Sequence, residues 1–182
     1  MTRTIVFASC LAAGLSIVMT AAQQDPTLLR SKLQITSAAF GPNERIPSKY
    51  TCDGQNVNPP LTFASIPPNA ESLVLIVDDP DVPKNLMPSG VFDHWLIWDL
   101  PVDSHGISEG ALEAKKGLNG KGHGYTGPCP PDGEHRYFFK LYALDTKFTG
   151  KTISNKHDLE TAMKGHVLDH AELMGRYART AR

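Results

Sequence analysis

The run Leu73-Val74-Leu75-Ile76-Val77 constrains this chain more than any other segment. Five consecutive apolar residues of high β-propensity are too few for a helix, so they predict a buried strand. Two further segments read the same way: Phe92 to Leu100 and Arg136 to Leu144. Near the start, Leu33, Ile35 and Ser37 alternate with polar partners until Gly41-Pro42-Asn43 turns the chain. Thr51 to Pro60 and most of residues 101 to 133 read as loop, dense in Gly, Asn and Pro. Short strands with frequent turn signals predict an antiparallel β-sandwich. The C-terminal segment differs. Leu159, Ala162, Met163, His166, Val167, His170, Leu173, Met174 and Tyr177 recur at helical spacing, which predicts a C-terminal α-helix. Ser154 or Asn155 is its expected cap, and Gly165 its expected bend.

The N-terminus has its own logic. Arg3 precedes an uncharged apolar stretch, Ile5 to Met19, and small residues follow at Thr20-Ala21-Ala22. That is the pattern of a secretory signal peptide over 1–22, cleaved near Ala22, and it predicts a periplasmic or secreted protein. The apolar stretch is short for a membrane span of roughly 20 residues. Residues 23–32 then form a polar leader, and 33–182 one domain. Cleavage removes Cys10 and leaves Cys52 and Cys129. In an oxidising compartment that pair suggests a disulfide, the alternative being two thiols packed as small hydrophobes. A formal charge of −1, with no run of one sign, excludes a nucleic-acid footprint or a polybasic membrane patch.

Strand parity locates the candidate chemistry, because alternate side chains share a face. Asp79 and Asp81 continue the parity of Leu73, Leu75 and Val77 past the strand end. His94 is in phase with Leu96, Trp98 and Leu100. His135 and Tyr137 are in phase with Phe139, Leu141 and Ala143. Three strands thus each place polar, titratable groups in line with an apolar face, predicting a polar pocket at one end of the sandwich. Histidine N–H groups and the Tyr137 hydroxyl suit a small anion. A neighbouring aspartate would fix a histidine tautomer and favour its charged form. Backbone N–H groups of the loop Gly124-Tyr125-Thr126-Gly127-Pro128-Cys129-Pro130-Pro131 would complete the cradle.

Two other motifs point elsewhere. Gly106-Ile107-Ser108-Glu109-Gly110 matches a nucleophile-elbow pattern, which requires a strand directly before Ser108 and a helix directly after. His166-Val167-Leu168-Asp169-His170 has the histidine spacing of zinc proteases, with Val167 where they place a glutamate. A metal held by His94, His135 and Asp79 is a further alternative to an anion. The expectation is a non-enzymatic protein with no cofactor and no resident metal.

Asp79-Pro80-Asp81-Val82-Pro83, Asp93-His94-Trp95, Gly124 to Pro131 and Gly133-Glu134-His135-Arg136-Tyr137 resemble, in order, the signature blocks of the phosphatidylethanolamine-binding family. The similarity is greatest to its bacterial Raf kinase inhibitor-like branch and extends from about Leu33 to Tyr177. The resemblance implies a β-sandwich whose pocket takes phosphate or a phosphorylated head group. Its ligand set here would be Asp79, Pro80, Asp81, Phe92, His94, Gly127, Pro130, Pro131, His135 and Tyr137. An ungapped reading places Pro128 in the proline pair instead. Phe92 stands where many members have tryptophan, keeping an aromatic wall without an indole N–H. Arg136 is expected at the rim. The branch also implies a possible homodimer and possible protein partners, such as a protease or a signalling protein. An exported member would not meet a cytoplasmic kinase of its own cell, so the kinase label names a family rather than an activity.

Overall fold

The computed structural model describes residues 32–111 and 117–179. The expected signal peptide and nearly all of the expected leader lie outside the described residues. Among the described residues, nine strands and one α-helix follow in the order β1 (Gln34–Thr36), β2 (Leu61–Ala64), β3 (Ser72–Asp79), β4 (Phe92–Leu100), β5 (Gly106–Ile107), β6 (Leu118–Asn119), β7 (Gly122–His123), β8 (Glu134–Leu144), α1 (Lys156–Met163) and β9 (Val167–Ala178), with a single 3-10 turn at Ser48–Tyr50 between β1 and β2. A three-stranded sheet, β1-β2-β5, faces a six-stranded sheet, β7-β6-β4-β3-β8-β9, and every pairing is antiparallel. The expected antiparallel sandwich is therefore the fold.

The unbroken apolar run of β3 has a direct cause: it is a central strand, buried along its whole length. Leu73, Leu75 and Val77 join Trp95, Ile97, Tyr137, Phe139 and Leu141 in the core between the sheets. Val74 and Ile76 face the other way, into a second core beneath α1 with Leu96, Phe148, Leu159 and Met163. Two-sided burial removes the polar alternation that marks a half-exposed strand.

The helix is shorter than its periodicity predicted. Asn155 caps it as expected, its side chain accepting from the Asp158 N–H at 3.0 Å, a contact worth about 1 kcal/mol. Gly165 then adopts φ +81° and ends it rather than bending it. Residues from Val167 onward form β9, paired along β8. Leu173, Gly175 and Tyr177 alternate toward the core, a two-residue period that Met174 disguised as a helical one. The His166/His170 motif dissolves with that helix. His166 bonds Asp145 at 2.8 Å, while His170 stacks on Tyr142 from the strand. In the expected loop 101 to 133, β5, β6 and β7 are short strands.

Candidate anion pocket

The site is built where β3, β4 and β8 end together. Asp79 closes β3 and is paired across the ladder with Phe92 of β4. His135 and Tyr137 stand on β8 with the parity anticipated: both are buried, and both face the inter-sheet side. His94 reaches the same place by another route. Leu96 belongs to the core under α1 and Trp98 packs against it, so His94 does not share their face. Val77 pairs with Trp95 but Asp78 with Asp93, which leaves His94 as an extra residue on β4, a β-bulge. The bulge swings His94 onto the Tyr137 side, where the two rings meet edge to face at 5.2 Å. A second irregularity returns Leu100 to the inter-sheet core, next to Asp99 at φ +54°.

The polar groups are tightly committed. Asp79 accepts from the Asp81 N–H at 2.8 Å through one oxygen. Its other oxygen bonds His135 Nδ1, also at 2.8 Å. His135 Nε2 lies 3.1 Å from Asp132 Oδ1, so both ring nitrogens face carboxylates. Burial opposes charge on this ring, but the bonds to Asp79 and Asp132 outweigh it and hold its pKa above the ordinary value. His94 is the opposite case. Burial lowers its pKa to about 4, against the bond to Thr126 and the field of Asp79. Its Nδ1 lies 2.6 Å from the Thr126 carbonyl, and the Thr126 N–H donates back to the His94 carbonyl at 3.0 Å. Tyr137 has a fully buried hydroxyl with no hydrogen bond among the described residues. Burial, with the nearby Asp79 carboxylate, drives its pKa far up and keeps it a phenol.

A cavity of about 170 Å³ opens on this cluster. Of the residues expected from sequence, Asp79, Phe92, His94, Gly127 and Pro131 line it. His135 and Tyr137 stand behind the wall, His135 gripping Asp79 and Tyr137 packing on His94. Asp81 turns outward to a two-pronged pair with the exposed Arg136, at 2.8 and 2.6 Å, which lowers the Asp81 pKa. Pro80 is exposed and Pro130 buried, and neither is among the lining residues. The lining also includes Val82, Lys121, Thr126 and Cys129, which the strand pattern did not reveal. Lys121 comes from the tight β6–β7 turn, its ammonium 5.8 Å from the Phe92 ring centre. The Asn119-Gly120 turn signal marked that hairpin, but nothing local placed it over the pocket.

The Gly/Pro loop does not form the N–H cradle expected of it. The Thr126 N–H is spent on His94 and the Gly127 N–H on Asn56 Oδ1 at 2.8 Å. Pro128, Pro130 and Pro131 have none. The loop is instead pinned in place. Cys52 N–H donates to the Pro128 carbonyl at 3.0 Å, the Tyr125 hydroxyl to the Tyr50 carbonyl at 2.9 Å, and Cys52 and Cys129 form a disulfide. Gly127 is required by close approach: a Cβ there would lie 2.3 Å from the Tyr50 carbonyl oxygen.

The back of the pocket is also charged. Asp78 points to the α1 side, buried, held by Lys140 at 2.9 Å and by Lys156 of the helix. Asp93, its cross-strand neighbour, has its pKa raised chiefly by burial. Ser108 follows the two-residue β5, is exposed, and leads to no helix in residues 109–111, so the elbow context is lacking there.

Fold and site together describe a two-sheet sandwich with a small, mostly apolar cavity ending on buried titratable groups. The profile of the phosphatidylethanolamine-binding protein family matches residues 36–178. A UPF0098 protein of Methanothermobacter thermautotrophicus is 46% identical over 155 residues, covering 81% of this chain and 99% of that one. The chain belongs to the phosphatidylethanolamine-binding protein family. Among solved structures, a Chlamydia trachomatis protein described as a putative phosphatidylethanolamine-binding protein homolog superposes with TM-score 0.78 at 42% identity, covering 82% of this chain and 99% of that chain. YbcL of Escherichia coli, described as a new member of the mammalian family, superposes with TM-score 0.72 at 25% identity, over 82% and 100%.

Proposed function

We propose that this chain is an exported, non-enzymatic member of its family. It captures a phosphate-type anion, free or on a phosphorylated head group, in the cavity at Asp79 and His94, with a regulatory or inhibitory role. One observation carries the reading. Asp79 and His94, 3% and 4% exposed, line one cavity, and His135 and Tyr137, 4% and 0% exposed, stand directly behind them against Asp79 and His94. Burying four such groups costs several kcal/mol unless they are partnered, and a core serving stability alone would hold apolar residues there. Buried titratable groups beside a cleft are the usual mark of a binding site. The Phe92 wall and the Lys121 ammonium suit an anion carrying a small organic group.

A second reading is an exported protein-interaction module, such as a protease inhibitor. It is favoured by Leu86, 63% exposed on the loop joining β3 and β4, the same loop that supplies the cavity residue Val82. Calorimetric titration with phosphate and phosphorylethanolamine separates the two. Binding that weakens at least tenfold in His135→Ala, with the fold intact by circular dichroism, supports the pocket. No heat from either ligand rules it out and favours the module.

A further inference from the structure

We infer that the cavity selects the singly protonated form of a phosphate monoester, whose P–OH donates to Nε2 of His94 while its anionic oxygens face Lys121. The inference rests on the anion-pocket reading above and names the ligand class within it.

It follows from counting donors. A carbonyl oxygen can only accept, so the 2.6 Å contact to Thr126 places the hydrogen of His94 on Nδ1. In the neutral ring, Nε2 is then a bare acceptor, and it has no hydrogen-bond partner among the described residues. The ring stays neutral at ordinary pH, because burial lowers its pKa to about 4. The charged and titratable groups around it are Asp78 and Asp79 on β3, Lys121 on the β6–β7 turn, and Tyr137 on β8. The loop packed against it from Thr126 to Pro131 has no titratable side chain.

Asp79, the other polar side chain deep in the lining, is also an acceptor. Its two oxygens already take the Asp81 N–H and His135. His135 has committed both nitrogens to carboxylates, and Arg136 is committed to Asp81. Neither is available as the cationic donor that an anion site would ordinarily use. Within Thr126–Pro131, only the Cys129 N–H is left after Thr126, Gly127 and the prolines are accounted for. Lys121 makes no ion pair among the described residues, so its positive charge is available at the rim. The cavity therefore offers one cation outside and two side-chain acceptors inside, the only neutral donors left near it being the Cys129 N–H in the lining and the Tyr137 hydroxyl behind His94 among the described residues. A fully deprotonated dianion would set lone pairs against lone pairs at His94 and Asp79. A monoester carrying one proton meets both ends of the cavity.

The test uses two ions of the same charge and shape. At pH 5.5 methyl phosphate, with a second pKa of about 6, is mainly a monoanion with one P–OH. Methyl sulfate is a monoanion with none. The proposal expects methyl phosphate to bind at least tenfold more tightly by calorimetry, and its affinity to fall about 50-fold between pH 6 and pH 8 as the monoanion disappears. Dimethyl phosphate, which has the diester linkage of a phospholipid head group, should bind as weakly as methyl sulfate. Binding equal to methyl phosphate by either comparator overturns the selection while leaving the anion pocket standing. No binding by any of the three overturns the pocket and the selection together. In His94→Phe the preference for methyl phosphate over methyl sulfate should shrink to within threefold, and an undiminished preference overturns the role of His94. If that variant fails to fold, ring ¹⁵N shifts of the wild-type protein decide. With methyl phosphate bound, His94 Nε2 should keep an acceptor-type shift, and N–H signals on both nitrogens would overturn the proposal.

Discussion

Acidification from pH 7 to pH 4 should destabilise this fold through His94 in particular. The side chain is 4% exposed, so solvent screening leaves its shift nearly undiminished. Burial moves its pKa from 6.5 down to about 4. A base with a depressed folded pKa binds its proton in the unfolded chain first. Stability is therefore lost as pH falls below 6.5, and the loss levels off once the folded protein is protonated near pH 4. At about 1.4 kcal/mol per pKa unit, the loss is about 3 kcal/mol, a large share of the ~5–15 kcal/mol that holds a typical domain together. Carboxylates and His135 also titrate in this range. His135 contributes with the opposite sign, because its raised pKa favours the folded state below 6.5. The comparison with His94→Phe isolates the term. Urea-unfolding free energies should be measured from pH 7 to pH 4 for both proteins. The wild-type protein should lose about 3 kcal/mol more than the variant. Parallel curves, within about 0.5 kcal/mol, would refute the reasoning that His94 is buried neutral.

Reducing the Cys52–Cys129 disulfide, which spans a sequence separation of 77, should lower stability by about 4 kcal/mol through loop-closure entropy. Urea midpoints with and without a phosphine reductant check it, using Cys52→Ser/Cys129→Ser as control. Gly127→Ala should displace the pocket loop, because its Cβ would meet backbone at 2.3 Å; phosphate affinity should drop at least tenfold, and an unchanged affinity would show that the loop is free to move. Leu159→Ala, which opens the core beneath α1, should cost about 3 kcal/mol by thermal or urea unfolding. Ser108→Ala should leave any measured esterase rate unchanged, since the described residues 109–111 that follow the exposed Ser108 form no helix.

The fold was legible wherever one strand's pattern was enough. The β3 run, the parity of Asp79 with Val77, and that of His135 and Tyr137 with Phe139 all read directly, because a regular strand has a fixed two-residue period. His94 shows the limit of that rule. Parity placed it with Leu96 and Trp98, on the wrong face, and only a bulge after Asp93 brings it to the pocket. No local preference in Asp93-His94-Trp95 announces an inserted residue, because the bulge is settled by pairing with β3. The C-terminal segment failed for a related reason. Leu173 and Tyr177 satisfy both a helical and a strand period while Met174 fits only the helical one, and the contest is decided by the long partner edge that β8 offers. Lys121 and the Thr126 carbonyl were invisible in the sequence because loops brought together across the fold put them there. The fate of the loop N–H groups was equally tertiary. Gly127 looked like a donor to a ligand until Asn56 was found to have taken its N–H.

The most direct test of the anion pocket is a residue-resolved NMR titration of residues 23–182 with methyl phosphate at pH 5.5. The account predicts saturable shifts centred on Asp79, Phe92, His94, Lys121, Gly127 and Cys129, with β1 and α1 unmoved. Shifts centred instead on the surface groove around Lys151 and His157, or no shifts at millimolar ligand, would contradict it.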